Sequence, residues 1–249
     1  MSTFDLTNLV NTAKADINAG INTRLDKLTA DLKAAIQPAP TPTPSGGYVY
    51  DDFKYVETFK VGQKSNNGKW ITDFVGQGFA KTDGNGLIIS PASTTLDIYG
   101  GSAQVRSTSQ FGDCAFDVEI THEKRTVTVN PQQWMCPWFL FRHLDKWRHY
   151  YFNVGTDHME FGKKDAPVGL EPQSEIEKYQ RKLWTGGPKT DIGTKCRVGI
   201  EMIGDRFKMY YNGALVMDKT DVSSFKSGSL SPYTEGAQSR YQMIRVTPK

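Results

Sequence analysis

Cysteine and histidine are scarce in this chain. Its 249 residues hold 3 cysteines and 4 histidines. Cys114, Cys136 and Cys196 are odd in number, unevenly spread and without a C-x-x-C pair. They read as small buried hydrophobes, not as a disulfide framework or a thiolate site. The histidines lack metal-ligand spacing, so no metal ligand set is expected. A charge excess is missing too. The net charge of +3 is too small for the concentrated basic face of a nucleic-acid binder. No apolar run approaches the roughly 18 residues of a membrane span. The opening MSTFDLTNLVNTAKAD has neither the basic start nor the apolar stretch of a secretory signal, which leads to the expectation of synthesis in a reducing cytoplasm. There is no G-x-S-x-G elbow, no H-E-x-x-H and no phosphate-binding loop.

What is present begins with a stripe. Leu6, Ile17 and Leu28 recur every 11 residues, as do Val10, Ile21 and Leu32, and Leu25 and Ile36. Eleven residues make three turns at 3.67 residues each, which keeps an apolar stripe nearly straight along a helix. A helix over 4–36 has no core of its own in which to bury that stripe, and so requires partners. PAPTPTPSGG follows, with Pro38, Pro40, Pro42 and Pro44 at alternate positions, an extended strut ending in a glycine swivel. The expected organisation is an oligomerisation or anchoring helix over 1–37, a linker over 38–47 and a head over 48–249. The helix carries four Lys or Arg (Lys14, Arg24, Lys27, Lys33) against four Asp (Asp5, Asp16, Asp26, Asp31), so the net charge belongs to the head.

From Tyr48 the hydrophobic period becomes two. Phe116, Val118 and Ile120 alternate with Asp117, Glu119 and Thr121; Val198, Ile200 and Met202 alternate with Arg197 and Glu201; Phe207, Met209 and Tyr211 precede a turn at Asn212-Gly213. These are half-buried antiparallel strands joined by hairpins. WFLFRHL and HYYFNVG are apolar on both faces, as central strands are. YVYDDF, GLIISP, SAQVRSTS, HMEFGKK, ALVMDKT and RYQMIRVT complete a mainly β sandwich or jelly roll without a convincing helix.

Three pieces in order resemble the concanavalin A-like lectin/glucanase superfamily. They are the aromatic hairpin FRHLDKWRHYYFNVGTDHMEFGKKD, the strand pair IGTKCRVGIEMIGDRFKMYYNGALVMDKTD, and the closing GSLSPYTEGAQSRYQMIRVTP. The resemblance covers about residues 110–249 and implies an antiparallel jelly-roll sandwich. Its members include carbohydrate-binding modules, lectins, glucanases and lyases, with the glycan in the concave sheet, so the site must be argued separately. Glucanases of the superfamily carry E-x-D-x-E or E-x-D-x-x-E on one strand. The matching run here has Asp117 and Glu119 on one face but Thr121 in the third place, so no catalytic residue is assigned. DGNG (83–86), to which Asp51 and Asp52 could add ligands, is compatible with one structural calcium and equally with a plain turn.

Sugar contacts are expected where rings sit beside cations. Trp147 lies in LDKWRH among Arg142, His143 and Arg148, and EKYQRKLW brings Tyr179, Arg181 and Trp184 together. Trp138 is expected in the core. A lectin-like head without an export signal, on an assembly helix, points to a phage virion-surface protein: a capsid decoration, head fibre, or tail fibre or spike. It would be a homo-oligomer, by analogy a trimer, bound to other virion proteins and displaying its head to cell-surface or environmental polysaccharide. The alternatives are a polysaccharide hydrolase or lyase with an oligomerisation tail, and a purely structural head.

Overall fold

The computed structural model describes residues 48–93 and 101–249. The expected helix with its stripe from Leu6 to Ile36, and the linker, lie outside the described residues. Among the described residues, sixteen strands form two antiparallel sheets. The nine-stranded sheet runs β14 (Ala214–Thr220), β13 (Arg206–Tyr211), β12 (Lys195–Ile203), β7 (Cys114–Arg125), β16 (Ala237–Pro248), β5 (Leu87–Ser90), β4 (Phe79–Asp83) and β2 (Val56–Phe59), with β1 (Tyr48–Asp51) also paired to β16. The seven-stranded sheet runs β11 (Gln180–Gly186), β10 (Met159–Asp165), β9 (Arg148–Val154), β8 (Pro137–Asp145), β15 (Ser229–Glu235), β6 (Ser102–Ser107) and β3 (Trp70–Phe74). One short helix, α1 (Gln173–Glu177), interrupts the path from β10 to β11.

The period-two pattern explains the layers. Along β7 the even positions Phe116, Val118 and Ile120 are buried, and along β12 Val198, Ile200 and Met202 are. They face Phe139 and Phe141 of β8, Tyr150 and Phe152 of β9 and Phe161 of β10. Phe116 stacks on Phe139 at 5.2 Å, and Phe139 on Phe152 at 5.7 Å. Each such side chain contributes roughly 1.5–3 kcal/mol by leaving water. The β13–β14 hairpin turns at Asn212 and Gly213, whose φ values of 45° and 92° are those of a two-residue turn that matches strand twist.

Two sequence expectations need correction. β2, β3 and β4 were not expected, because VETF, WITDF and FAKTD are short and mix polar with apolar residues. The EKYQRKLW segment, with Tyr179–Trp184, is not read as a strand from the sequence, yet QRKLWTG forms an edge strand. Edge strands carry charge that limits further pairing, and this weakens their apolar signal.

Candidate functional site

β8 and β9 are apolar toward both sides because the side chains on both sides are largely buried. Phe139 and Phe141 point into the sandwich, while Trp138 and Leu140 join Tyr151 in a second buried cluster on the outer face of the seven-stranded sheet. Trp134 and Tyr233 pack on that cluster half-buried. A groove of about 820 Å³ lies over this floor. Strand register sets its long direction. Phe74 pairs with Gln104, Gln104 with Tyr233, Tyr233 with Trp138, Trp138 with Asn153, and Asn153 with Glu160. At ~4.8 Å between strands, this row crosses six strands over about 24 Å.

The apolar end is a set of rings. Trp138 lies 4.7 Å from Tyr151 and 6.0 Å from Tyr233, and Phe74 lies 6.3 Å from Tyr233. The indole N–H of Trp138 donates to the Trp134 carbonyl at 2.8 Å, which fixes the ring. Gly162 is required beneath Tyr151, since a Cβ there would stand 2.3 Å from the phenol oxygen.

The polar end is charged but internally matched. Glu160 is buried and meets Lys182 Nζ at 2.5 Å and His158 Nε2 at 3.2 Å. Glu177 of α1 accepts from Lys164 at 2.9 Å, tying the helix to the sheet as a side wall. Burial, followed by the Glu177 charge, pushes the Glu235 carboxyl up to about 7 against the opposing pull of Lys164 and the Tyr233 hydroxyl. Burial holds His143 down at about 4, and His149 well below its usual range with His143 and Lys164 adding to the effect. Gln104 Nε2 lies 3.1 Å from His143 Nε2. With the amide donating, the neutral imidazole accepts there and carries its proton on Nδ1.

Of the seven residues expected to contact sugar, His143 alone lines this groove. Arg142 is a correction. Its side chain is 0% exposed and donates to the carbonyls of Gly204 and Phe225 and to Asp113, bracing loops against the sandwich. Its φ of 43° at a break in the β8–β9 register turns it out of the alternation that a sequence reading assumes. Trp147 is half-buried, and its N–H donates to the Leu170 carbonyl at 2.9 Å with Lys146 Nζ 4.9 Å from the ring centre. It therefore holds the chain leading to α1. Arg148 is engaged by Asp145 at 2.6 Å. Tyr179 is 42% exposed just past α1. Arg181 and Trp184 pair in register with Lys163 and Phe161, on the inward side of the sheet, where Trp184 packs on the core.

Trp138 belongs to the groove floor rather than to the inter-sheet core. Trp134, Tyr233, Glu160, Glu177 and Glu235 were not singled out in the sequence. A usable signal was the run of central strands with rings at outward positions, which asks what covers that face.

Asp117 and Glu119 lie on the outer face of the other sheet, paired with Arg197 and Lys195 at 3.0 Å each. Asp83 is held by Arg240 at 2.9 Å. The Asp51 carboxylate accepts from Phe53 N, Tyr55 OH, Asn67 Nδ2 and Trp70 Nε1 within 3.1 Å. That donor shell suits an anion anchored by the protein, not a calcium ligand. Among the described residues, no group of three or more His, Cys, Asp or Glu converges as a metal site.

No protein-family model matches the chain, and no curated protein matches it in sequence. Solved structures do match. The carbohydrate-binding module CBM66 from Bacillus subtilis superposes with a TM-score of 0.54 at 19% identity, over 75% of this chain and 98% of that one. A Bacillus licheniformis β-glucanase gives 0.51 at 11% identity, over 83% and 100%. SCLam, a non-specific endo-β-1,3(4)-glucanase from family GH16, gives 0.53 at 10% identity, over 84% and 94%. The head therefore shares the antiparallel jelly-roll β-sandwich fold of these proteins.

Proposed function

We propose that the head binds a polysaccharide along the groove of the seven-stranded sheet, without cleaving it. The observation that carries this reading is the aromatic row from Phe74 through Tyr233 to Trp138, ending at polar Glu160. Rings that are partly open in a long groove suit sugar faces, and the flanking amides and carboxylates suit hydroxyls. The fold is shared with proteins described as a carbohydrate-binding module and as glucanases. Affinity electrophoresis of the full chain in gels cast with polysaccharides tests the proposal. Retardation that falls in Phe74→Ala and Trp134→Ala supports it, and equal mobility of wild type and variants in every gel refutes it.

We further propose that residues 4–36 assemble the chain into an oligomer, a trimer by analogy, which displays the heads on a virion surface beside other virion proteins. The support is the 11-residue stripe followed by the proline strut. Several weak heads on one particle gain from effective concentration. Light scattering on the full chain and on residues 48–249 checks the assembly step. A head that keeps the full oligomer without the helix removes it.

One observation favours a hydrolase as the second reading. Burial, then the Glu177 charge, pushes the Glu235 carboxyl up to about 7, which leaves a protonated fraction near neutral pH, as a general acid needs. Reducing-sugar release that disappears in Glu235→Gln would establish that reading.

A further inference from the structure

Among the described lining residues there are three lysines, and each is already matched. Lys182 meets Glu160 at 2.5 Å, Lys164 meets Glu177 at 2.9 Å, and Lys146 pairs with Glu171. Among the described lining residues there is no arginine. The three arginines of the sequence expectation lie elsewhere, with Arg142 buried in a brace and Arg148 on Asp145. His143 and His149 are buried, and burial keeps them neutral. Among the described lining residues, Glu235 is the one carboxyl or amine without an oppositely charged partner, and it accepts from the Tyr233 hydroxyl at 3.3 Å.

We infer that the ligand is an uncharged polysaccharide, and that the groove's internal ion pairs exclude uronate and sulfated polymers. This rests on the glycan-binding reading above. An anionic sugar would have to take a lysine from its carboxylate. For Lys182 that removes the lysine from Glu160, which is 4% exposed and keeps only His158 and Asn153 as partners, and taking the charged partner from a buried carboxylate is unfavourable. A sulfate or carboxylate is normally held by a donor whose charge is unspent, most often a forked guanidinium, and the described groove has none. Glu235 adds repulsion wherever it is ionised. A neutral sugar needs only ring faces and uncharged hydrogen-bonding groups. The first are Phe74, Trp134 and Tyr233, and the second are Gln173 and Gln180.

The same pairs make the exclusion removable. Lys164 is 8% and Glu177 43% exposed at the side chain, so Glu177→Gln leaves a largely buried lysine without its carboxylate, a charge that an anionic sugar can then pair. The full chain is run in native gels containing an uncharged glucan, an uncharged xylan, polygalacturonate or a sulfated galactan, at low and high salt. The inference expects retardation by a neutral polymer that changes little with salt, and none by the anionic polymers at physiological salt. It also expects Glu177→Gln to gain a several-fold, salt-sensitive retardation by polygalacturonate. Wild-type retardation that is stronger with an anionic polymer, falls with salt and is lost in Lys164→Gln or Lys182→Gln overturns the inference and leaves glycan binding standing. Folded protein that no polymer of either kind retards refutes glycan binding itself, and the inference with it.

Discussion

The two outer faces of this sandwich are built from the same alternating strands, yet they solve different problems. On the nine-stranded sheet the outward positions form a self-neutralising lattice: Asp117 with Arg197, Glu119 with Lys195, Glu201 with Lys208, and Arg240 with both Asp83 and Glu123. Most members of these pairs are half-buried at the sheet surface, and surface ion pairs contribute little individually. On the seven-stranded sheet the outward positions carry Trp138, Leu140, Tyr151 and Tyr233, and charges only at one end. A face that is apolar, concave and partly open is one on which a ligand gains by displacing water. Charge in a strand is therefore a weak guide to a site, whereas rings at successive outward positions are a strong one.

The sharpest break in the comparison comes from large-to-small changes. Trp138→Ala removes a ring that is 5% exposed and should lower stability by about 3–5 kcal/mol. It should also abolish polysaccharide retardation, as read by urea denaturation and affinity gels. Asp117→Asn on the opposite face should change stability by less than ~1 kcal/mol. Comparable losses at both positions would remove the distinction between a floor and a solvated face.

Titration separates the faces next. His143 and His149 are neutral in the fold because they are buried. As pH falls from the ordinary histidine value of 6.5 toward about 4, the unfolded chain takes up protons before the folded His143 does, so stability falls. Glu235 acts in the opposite direction. Its folded carboxyl sits at about 7, above its ordinary 4.5, so its favourable contribution is complete below 4.5 and is lost as pH rises to 7. Melting temperature followed against pH should lose the upper decline in Glu235→Gln and keep the lower one. An unchanged profile in that variant means the carboxyl is ordinary.

Smaller effects sharpen the picture. Phe74 is 37% exposed, so Phe74→Ala should leave the fold stable while weakening polysaccharide binding by about 1 kcal/mol, roughly fivefold. Trp147→Phe deletes the indole bond to the Leu170 carbonyl and should cost about 1 kcal/mol. Its effect on binding should come indirectly, through a looser α1 wall, which hydrogen exchange of residues 170–179 would report. The smallest expected effect is that of Glu119→Gln, whose Lys195 partner is more than half exposed. Its binding curves should overlay those of wild type.

Much of the head is legible in the sequence. The alternation along 114–122, 195–203 and 206–211 reads directly as strands because a pleated chain puts successive side chains on opposite faces. Asn212-Gly213 reads as a hairpin because few other pairs tolerate positive φ at both places. The order of three motif-like pieces pointed to the sandwich that the solved structures share. The site was far less legible. Trp147 looked like a platform and is a brace. Arg142 looked like a surface cation and is buried whole. Trp138 looked like ordinary core and floors the groove.

The primary sequence alone determined which stretches alternate, where the chain must turn, and that residues 4–36 carry a repeating stripe. These are local properties, set by side-chain type and spacing within a few residues. Tertiary structure alone decided which outward face became a groove, because that depends on register between strands far apart in the chain: Phe74, Tyr233, Trp138 and Glu160 meet only through β3, β6, β15, β8, β9 and β10 lying side by side. It also decided which charges are spent. A lysine's partner is fixed by a distance of about 3 Å, and sequence separation carries almost no information about that distance.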